Sequence, residues 1–176
     1  MTTVLATTDD LPELRAALDR RRELGLDLYD EVWEGVYRIV NAPGPRHAAI
    51  QATLLAILEP LAEERGIVAL GPANIGVPDD HRIPDACLVE PSVIGTSAWL
   101  ERAELVVEIL SPDEPSRAKI DFYAARAVAE YLEIDADMSD ASLWALSSDA
   151  APQLVDRSGV LPELDLATLR ERLRRR

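Results

Sequence analysis

Residues 104 to 135, "ELVVEILSPDEPSRAKIDFYAARAVAEYLEID", place a helical pattern between two short apolar segments. The segments at 104–110 and 129–135 have the length and the Val, Ile, Leu and Tyr content of β-strands. Between them a turn leads into a helix that we expect to begin near Pro115. A helix that connects two strands of one sheet is typical of a mixed or parallel α/β sheet. The stretch therefore predicts a mixed α/β fold.

The rest of the chain extends this pattern without an internal repeat. We expect a peripheral helix at 11–24, a strand pair at 31–41 that turns at Glu34 and Gly35, and a helix at 47–66 that Pro60 bends or interrupts. Further predicted strands lie at 67–70, 74–78 and 83–90, and a final hairpin lies at 141–147 and 152–156. We divide this single domain into an N-terminal helical extension (1–28), a core (29–160) and a basic C-terminal helix (161–176).

Composition restricts the possible partners. The net charge of −14 disfavours binding to a polyanion, because nucleic-acid-binding proteins usually carry a basic patch. The Arg-rich end "RERLRRR" (170–176) is the one such patch, and it is most simply a solvated helix terminus. No apolar run approaches the roughly 20 residues of a membrane span, and we expect no secretory signal. The single Cys87, which we place in the core, excludes an internal disulfide, so we expect a cytoplasmic protein.

Two carboxylates stand at unusual places in apolar strands. Alternation puts Glu108 on one face of its strand with Val106 and Leu110, although a buried unpaired carboxylate is costly. Asp85 stands directly before the apolar run "ACLV" and after Pro84. If the two strands are neighbours, the acids meet. Close carboxylates repel, and a divalent ion such as Mg²⁺ relieves that repulsion.

The only lysine of the chain follows the second of these strands. Of the 18 basic residues, 17 are Arg, and Lys119 differs from them in being a compact ammonium. We expect it about one turn inside the next helix, where it would reach both acids. Asp, Glu and Lys around a metal suit phosphodiester hydrolysis. A structural ion pair of Glu108 with Lys119 or Arg117 would need the same arrangement of strand and helix. The residues alone therefore leave open whether Glu108 belongs to a metal site or to an ion pair.

Four segments resemble the Uma-two family of restriction endonucleases, within the PD-(D/E)xK nuclease superfamily. They are "YDEVWEGVYRIVNAPGPRHAAIQ" (29–51), "RIPDACLVE" (82–90), "ELVVEILSP" (104–112) and "KIDFYAARAVAEYLEID" (119–135). The resemblance implies a restriction-endonuclease-like core, a mixed β-sheet flanked by helices, and nuclease chemistry that depends on Mg²⁺ or Mn²⁺. It also implies DNA as the substrate.

The same resemblance assigns roles to individual residues. Asp85 and Glu108 match the two acidic metal ligands, whereas Leu110 occupies the position of the lysine in the usual motif; that lysine is displaced here to Lys119. The acid of the first motif matches Glu34 or Glu31, and Glu34 is preferred.

His47 matches the histidine that opens the helix. Plain alternatives are that Glu34 is only a turn residue and that His47 only caps its helix. Nucleases of this kind often act as dimers, so we expect a homodimer. The alternative function is a non-catalytic binding or assembly module that keeps the fold and has little affinity for DNA, as the net charge of −14 would favour.

Overall fold

The computed structural model describes residues 12–110, 118–135, 137 and 140–174, together with the backbone of residues 3–5. Four helices lie in these ranges: α1 (Pro12–Glu23), α2 (Pro45–Glu64), α3 (Ile120–Ala125) and α4 (Leu166–Arg174). The first six strands are β1 (Thr3–Leu5), β2 (Glu31–Trp33), β3 (Val36–Ile39), β4 (Val68–Leu70), β5 (Asn74–Val77) and β6 (Asp80–Arg82). The other six are β7 (Ala86–Val89), β8 (Trp99–Leu100), β9 (Leu105–Leu110), β10 (Glu130–Asp135), β11 (Ala141–Ala145) and β12 (Gln153–Val155).

The strands form two six-stranded sheets. The first sheet has the order β1-β3-β2-β6-β5-β8, and the second has the order β12-β11-β10-β9-β7-β4. Strands β9 and β10 are parallel, and α3 lies in the connection between them, as the strand-helix-strand pattern predicted. The mixed α/β class is confirmed, but its strands are divided over two sheets.

Local sequence and observed elements differ at a few points. Helix α2 continues through Pro60, because the buried Leu58 and Ala62 on either side hold it against the sheet. The short strands β6 and β8 were not predicted, since three or two residues are too few to show a period. No helix in the described part of the chain is long and apolar enough to cross a membrane. The division at 28 and 160 stays a prediction.

The second sheet packs on both faces. Leu105, Val107 and Ile109 of β9 belong to a core cluster with α2 and α4, in which Leu166, Leu169 and Leu173 are buried. Val106 and Tyr131 lie on the opposite face, in a smaller cluster with Cys87 and residues of α3. Cys87 is thus a core residue, as expected. The side chain of Glu108 belongs to this α3 face, because it alternates with Leu105, Val107 and Ile109.

Candidate active site

Asp85 and Glu108 belong to neighbouring strands, with Asp85 directly before β7 and Glu108 within β9. These strands are antiparallel with Ala86 paired to Val107, so Asp85 comes opposite Glu108. Directly opposed residues share a face of a sheet. The backbone N–H of Asp85 donates to Val107 O at 2.9 Å, and Asp85 Oδ2 accepts from Ile109 N at 2.7 Å. The two acids therefore lie on neighbouring strands, and the Asp85 carboxylate binds the backbone N–H of the residue that follows Glu108.

Lys119 lies between two carboxylates. Its Nζ is 3.1 Å from Glu108 Oε2 and 2.9 Å from Glu31 Oε1, and all three side chains are buried. The expected position one turn inside the helix is wrong, because α3 begins at Ile120 and Lys119 is the residue before it. From this position the ammonium binds Glu108 and Glu31, whereas the sequence predicted Glu108 and Asp85.

Part of the connection from β9 to α3 lies outside the described residues. Residues 111–117 belong to this part, and with them the predicted helix start at Pro115 and the alternative ion-pair partner Arg117.

The structure brings Glu31, and not Glu34, to this cluster. Glu31 is in β2, where Oε1 accepts from Ile83 N and Oε2 accepts from Trp33 Nε1, both at 2.8 Å. Glu34 is exposed in the turn to β3, with a φ of 50°, and its backbone N–H donates to Asp80 Oδ1. The side chain of a strand residue can point into the protein, whereas residues of a turn usually lie at the surface. Glu34 therefore has the geometry of the turn residue that was its plain alternative.

His47 and Gln51 bind Asp85 from the first turns of α2. His47 Nε2 is 2.6 Å from Asp85 Oδ1, and Gln51 Nε2 donates to Asp85 O at 2.5 Å. The N-cap of α2 is Gly44, and Pro45 follows it. His47 therefore does not cap the helix, and its ring instead binds the Asp85 carboxylate. Gln51 was missed in the sequence, although its spacing of four residues from His47 places both on one helix face.

Tyr123 of α3 is a further member of the cluster, which the sequence analysis did not single out. It is fully buried, and its hydroxyl donates to Glu108 Oε1 at 2.6 Å. The sequence carried a signal for it, because Tyr123 follows Lys119 by four residues and therefore lies above it on the same side of the helix. Burial and the neighbouring Glu108 carboxylate raise the pKa of Tyr123 well above its ordinary value, so the hydroxyl stays a donor.

Burial is the main influence on the pKa of the Glu108 carboxyl group. Burial, together with the nearby Asp85 and Glu31, raises the pKa of Glu108 to about 8, although Lys119 and the Tyr123 hydroxyl act in the opposite direction. Glu133 on β10 pairs directly with Glu108 and is also buried. Its place on the same face follows from alternation, but sequence reasoning did not single it out.

The cluster has an excess of negative charge. When ionised, the carboxylates of Glu31, Glu108 and Asp85 carry three negative charges, against which Lys119 supplies one positive charge. Among the described residues, each carboxylate oxygen of Asp85 and Glu108 has one hydrogen-bond partner, and a carboxylate oxygen can accept a second bond. Such a donor set fits Mg²⁺, which typically takes one or two carboxylates together with waters. Within the described ranges, no group of three or more His, Cys, Asp and Glu side chains is arranged to hold a metal ion.

Comparisons with known proteins agree with this fold. The model of the Uma2 family, described as "Putative restriction endonuclease", matches residues 21–173. A solved structure from Anabaena variabilis ATCC 29413, described as a "putative nuclease belonging to DUF820", is similar with a TM-score of 0.65 and 18% identity. That alignment covers 82% of this chain and 90% of the Anabaena chain. Curated proteins gave no match. At this identity the structural likeness shows a shared fold.

Proposed function

This chain belongs to the Uma2 family, and we propose that it is an endonuclease that hydrolyses DNA phosphodiester bonds with Mg²⁺ or Mn²⁺. The observation that carries the proposal is the buried charge imbalance beside a strand end. Glu31 and Glu108 both bind the single ammonium of Lys119, and the charge of Asp85 acts on Glu108 from the neighbouring strand. A structural ion pair would need one carboxylate for that ammonium, whereas a divalent cation would neutralise the surplus.

We assign Asp85 and Glu108 as the residues that would hold the metal. The bound ion would polarise a phosphoryl oxygen and lower the pKa of a coordinated water. The hydrogen bonds from Ile109 N and His47 fix the orientation of the Asp85 carboxylate, and Tyr123 does the same for Glu108. His47 and Tyr123 are thus positioning residues in this proposal.

Lys119 supplies the positive charge next to the reacting phosphate. Its Nζ would donate a hydrogen bond to the attacking water or to a phosphoryl oxygen, where negative charge develops. Glu31 holds Nζ at 2.9 Å, so it directs the ammonium and takes the role that the sequence gave to Glu34. In the reaction, the water oxygen forms a bond to phosphorus, the phosphorus–oxygen bond of the leaving nucleotide breaks, and the released proton passes to solvent or to the leaving oxygen.

The proposal is tested by cleavage of plasmid DNA with Mg²⁺ or Mn²⁺, using three variants of the purified chain. Asp85→Asn and Lys119→Ala should each reduce the rate at least a hundredfold, because each removes a group that acts on the transition state. Asp121→Asn is the matched control, since Asp121 is an exposed acid of α3 and lies outside the cluster. Metal-dependent cleavage that survives in Asp85→Asn and Lys119→Ala would refute the assignment.

One observation favours a second candidate, a non-catalytic binding or assembly module. A continuous series of hydrogen bonds and ion pairs joins Glu31, Lys119, Glu108 and Tyr123. A cluster with a purely structural role would show the same contacts. A module with little DNA affinity would fit the net charge of −14. A salt titration of duplex binding separates the candidates, because a nuclease must bind at low salt and lose affinity as salt rises.

A homodimer is part of the proposal. One centre cuts one strand, so cleavage of both strands of a duplex in one encounter needs two centres of opposite orientation. A two-fold dimer supplies such a pair. Sedimentation of the purified chain, alone and with a short duplex, would measure the mass of the assembly, and a strictly monomeric protein in both states would refute this part of the proposal.

A further inference from the structure

Three arginine side chains and two aromatic rings alternate in a stack beside the acidic cluster. The Arg38 guanidinium lies 3.6 Å from the centre of the Trp33 ring, and Arg82 lies 4.4 Å from that ring and 4.0 Å from the ring of Phe122. Arg126 closes the stack at 3.6 Å from Phe122. Cations over aromatic faces are attracted by the ring quadrupole, and arginine also stacks flat on it. We call this set of five side chains the arginine stack.

The arginine stack joins the candidate site through Trp33. The indole Nε1 of Trp33 donates to Glu31 Oε2 at 2.8 Å, and Glu31 holds Lys119. Strand pairing adds a second link, because Arg38 on β3 is the direct partner of Glu31 on β2. Directly opposed residues share a face and have Cβ atoms about 5 Å apart. Arg38 therefore borders the acidic cluster on the side of the first sheet.

Arg38 differs from the other two arginines in its partners. Arg82 and Arg126 both donate to the carboxylate of Asp80, at 3.0 and 2.7 Å. For Arg38, the described residues supply no hydrogen bond and no ion pair at all; its buried Nε lacks an acceptor, as does the Nε of Arg82. Buried donors are nearly always satisfied, so a guanidinium held in this way needs an explanation.

We infer that Arg38 binds a backbone phosphate of the DNA substrate beside the bond that is cut. This inference rests on the proposed function and adds to it the residue that holds the strand. The planar fork of a guanidinium matches phosphate oxygens, and stacking on Trp33 fixes its plane before the substrate arrives. Within the described residues, Arg82 and Arg126 share the carboxylate of Asp80, whereas no carboxylate is bonded to the guanidinium of Arg38. A phosphate would therefore meet a cation that no bonded carboxylate neutralises, although the chain carries −14.

The test measures binding separately from cleavage. Fluorescence anisotropy with a short fluorescein-labelled DNA duplex in metal-free buffer gives the affinity at salt concentrations from about 50 to 200 mM. The variants are Arg38→Gln, Arg38→Lys and the control Arg102→Gln. Arg102 is exposed, pairs with Glu90, and precedes β9 at the end opposite Glu108, so its loss changes the net charge equally. Thermal unfolding of each variant checks that it folds.

We expect Arg38→Gln to weaken binding about tenfold and to reduce the slope of log affinity against log salt by about 1, which is the mark of one lost phosphate contact. Arg38→Lys keeps the charge, so it should keep the slope while binding more weakly than the wild type. Arg102→Gln should match the wild type. With Mg²⁺ present, Arg38→Gln should raise KM and leave kcat within about twofold, since it removes uniform binding.

The outcomes separate this inference from the proposed function. Equal slopes and affinities for Arg38→Gln and Arg102→Gln, or a wild-type chain that does not bind the duplex at low salt, would overturn the role of Arg38. A wild-type chain that binds through Arg38 but does not cut DNA with either metal would support the phosphate contact and refute the nuclease. Cleavage that persists while Arg38→Gln behaves as the control would leave the nuclease and overturn the contact.

Discussion

Replacing Glu108 by Gln should make the stability of the protein less dependent on pH. In the folded protein the pKa of Glu108 is raised from an ordinary 4.5 to about 8, chiefly by burial. A folded-state pKa above the unfolded value contributes stability that is fully present below the unfolded pKa. That stability is lost as pH rises toward the folded pKa, because the buried group must ionise. The wild type should therefore lose stability between about pH 5 and pH 8 relative to Glu108→Gln.

The magnitude follows from the same pKa difference. Each pH unit inside this window corresponds to about 1.4 kcal/mol, so the free energy of unfolding of the wild type should fall by about 4 kcal/mol from pH 5 to pH 8, relative to the variant. The amide of Gln also meets the donors Lys119 and Tyr123 imperfectly, but that cost does not change with pH. The slope is therefore a cleaner quantity than the stability at any single pH.

Urea unfolding at several pH values measures this slope. Glu90→Gln is the control, because the Glu90 side chain is 48% exposed. The free energy of unfolding of Glu90→Gln should differ from that of the wild type by the same amount at every pH. Added Mg²⁺ should flatten the wild-type curve, since a bound cation stabilises the ionised carboxylate. A difference between Glu108→Gln and the wild type that is constant from pH 5 to pH 8 would show that Lys119 alone balances the Glu108 charge, and the argument for a surplus of negative charge would fail.

Three further predictions follow from named contacts. Tyr123→Phe removes a buried donor from Glu108 and should lower the free energy of unfolding by about 1 to 3 kcal/mol, measured in urea at pH 8; an unchanged midpoint would contradict the hydrogen bond. Glu31→Gln should slow DNA cleavage about tenfold or more and Glu34→Gln less than twofold, and the reverse order would restore the sequence-based preference. Gly76→Ala should cost more than about 2 kcal/mol, since Gly76 has a φ of 120° and a Cβ would collide with Asp80 O, and a wild-type thermal midpoint would refute this.

Much of the site could be read from the sequence because strands and helices repeat at fixed periods. Alternation placed Glu108 on one face of its strand. The pairing of β7 with β9 was considered in the sequence analysis as the arrangement that would bring Asp85 and Glu108 together, and the structure has this pairing. The choice between Glu31 and Glu34 could not be made in this way. Glu31 lies in the first strand of the hairpin and Glu34 lies in its turn. Only the pairing of β2 with β6 and the contact with Lys119 show that Glu31 is the side chain that points inward. Tyr123 carried a usable signal at four residues from Lys119, but tyrosine in a helix is usually core.

The sequence by itself determined the mixed α/β class, the strand-helix-strand unit, and the placement of Asp85 before one strand and Glu108 within another. These features depend on periods of two or 3.6 residues and on turn residues nearby. Only the tertiary structure decided that Glu31 shares the ammonium of Lys119, that His47 holds Asp85, and that Arg38 stacks on Trp33 at the border of the cluster. These contacts join residues far apart in the chain. Their geometry is set by which strands pair and which faces pack, and no local pattern records that choice.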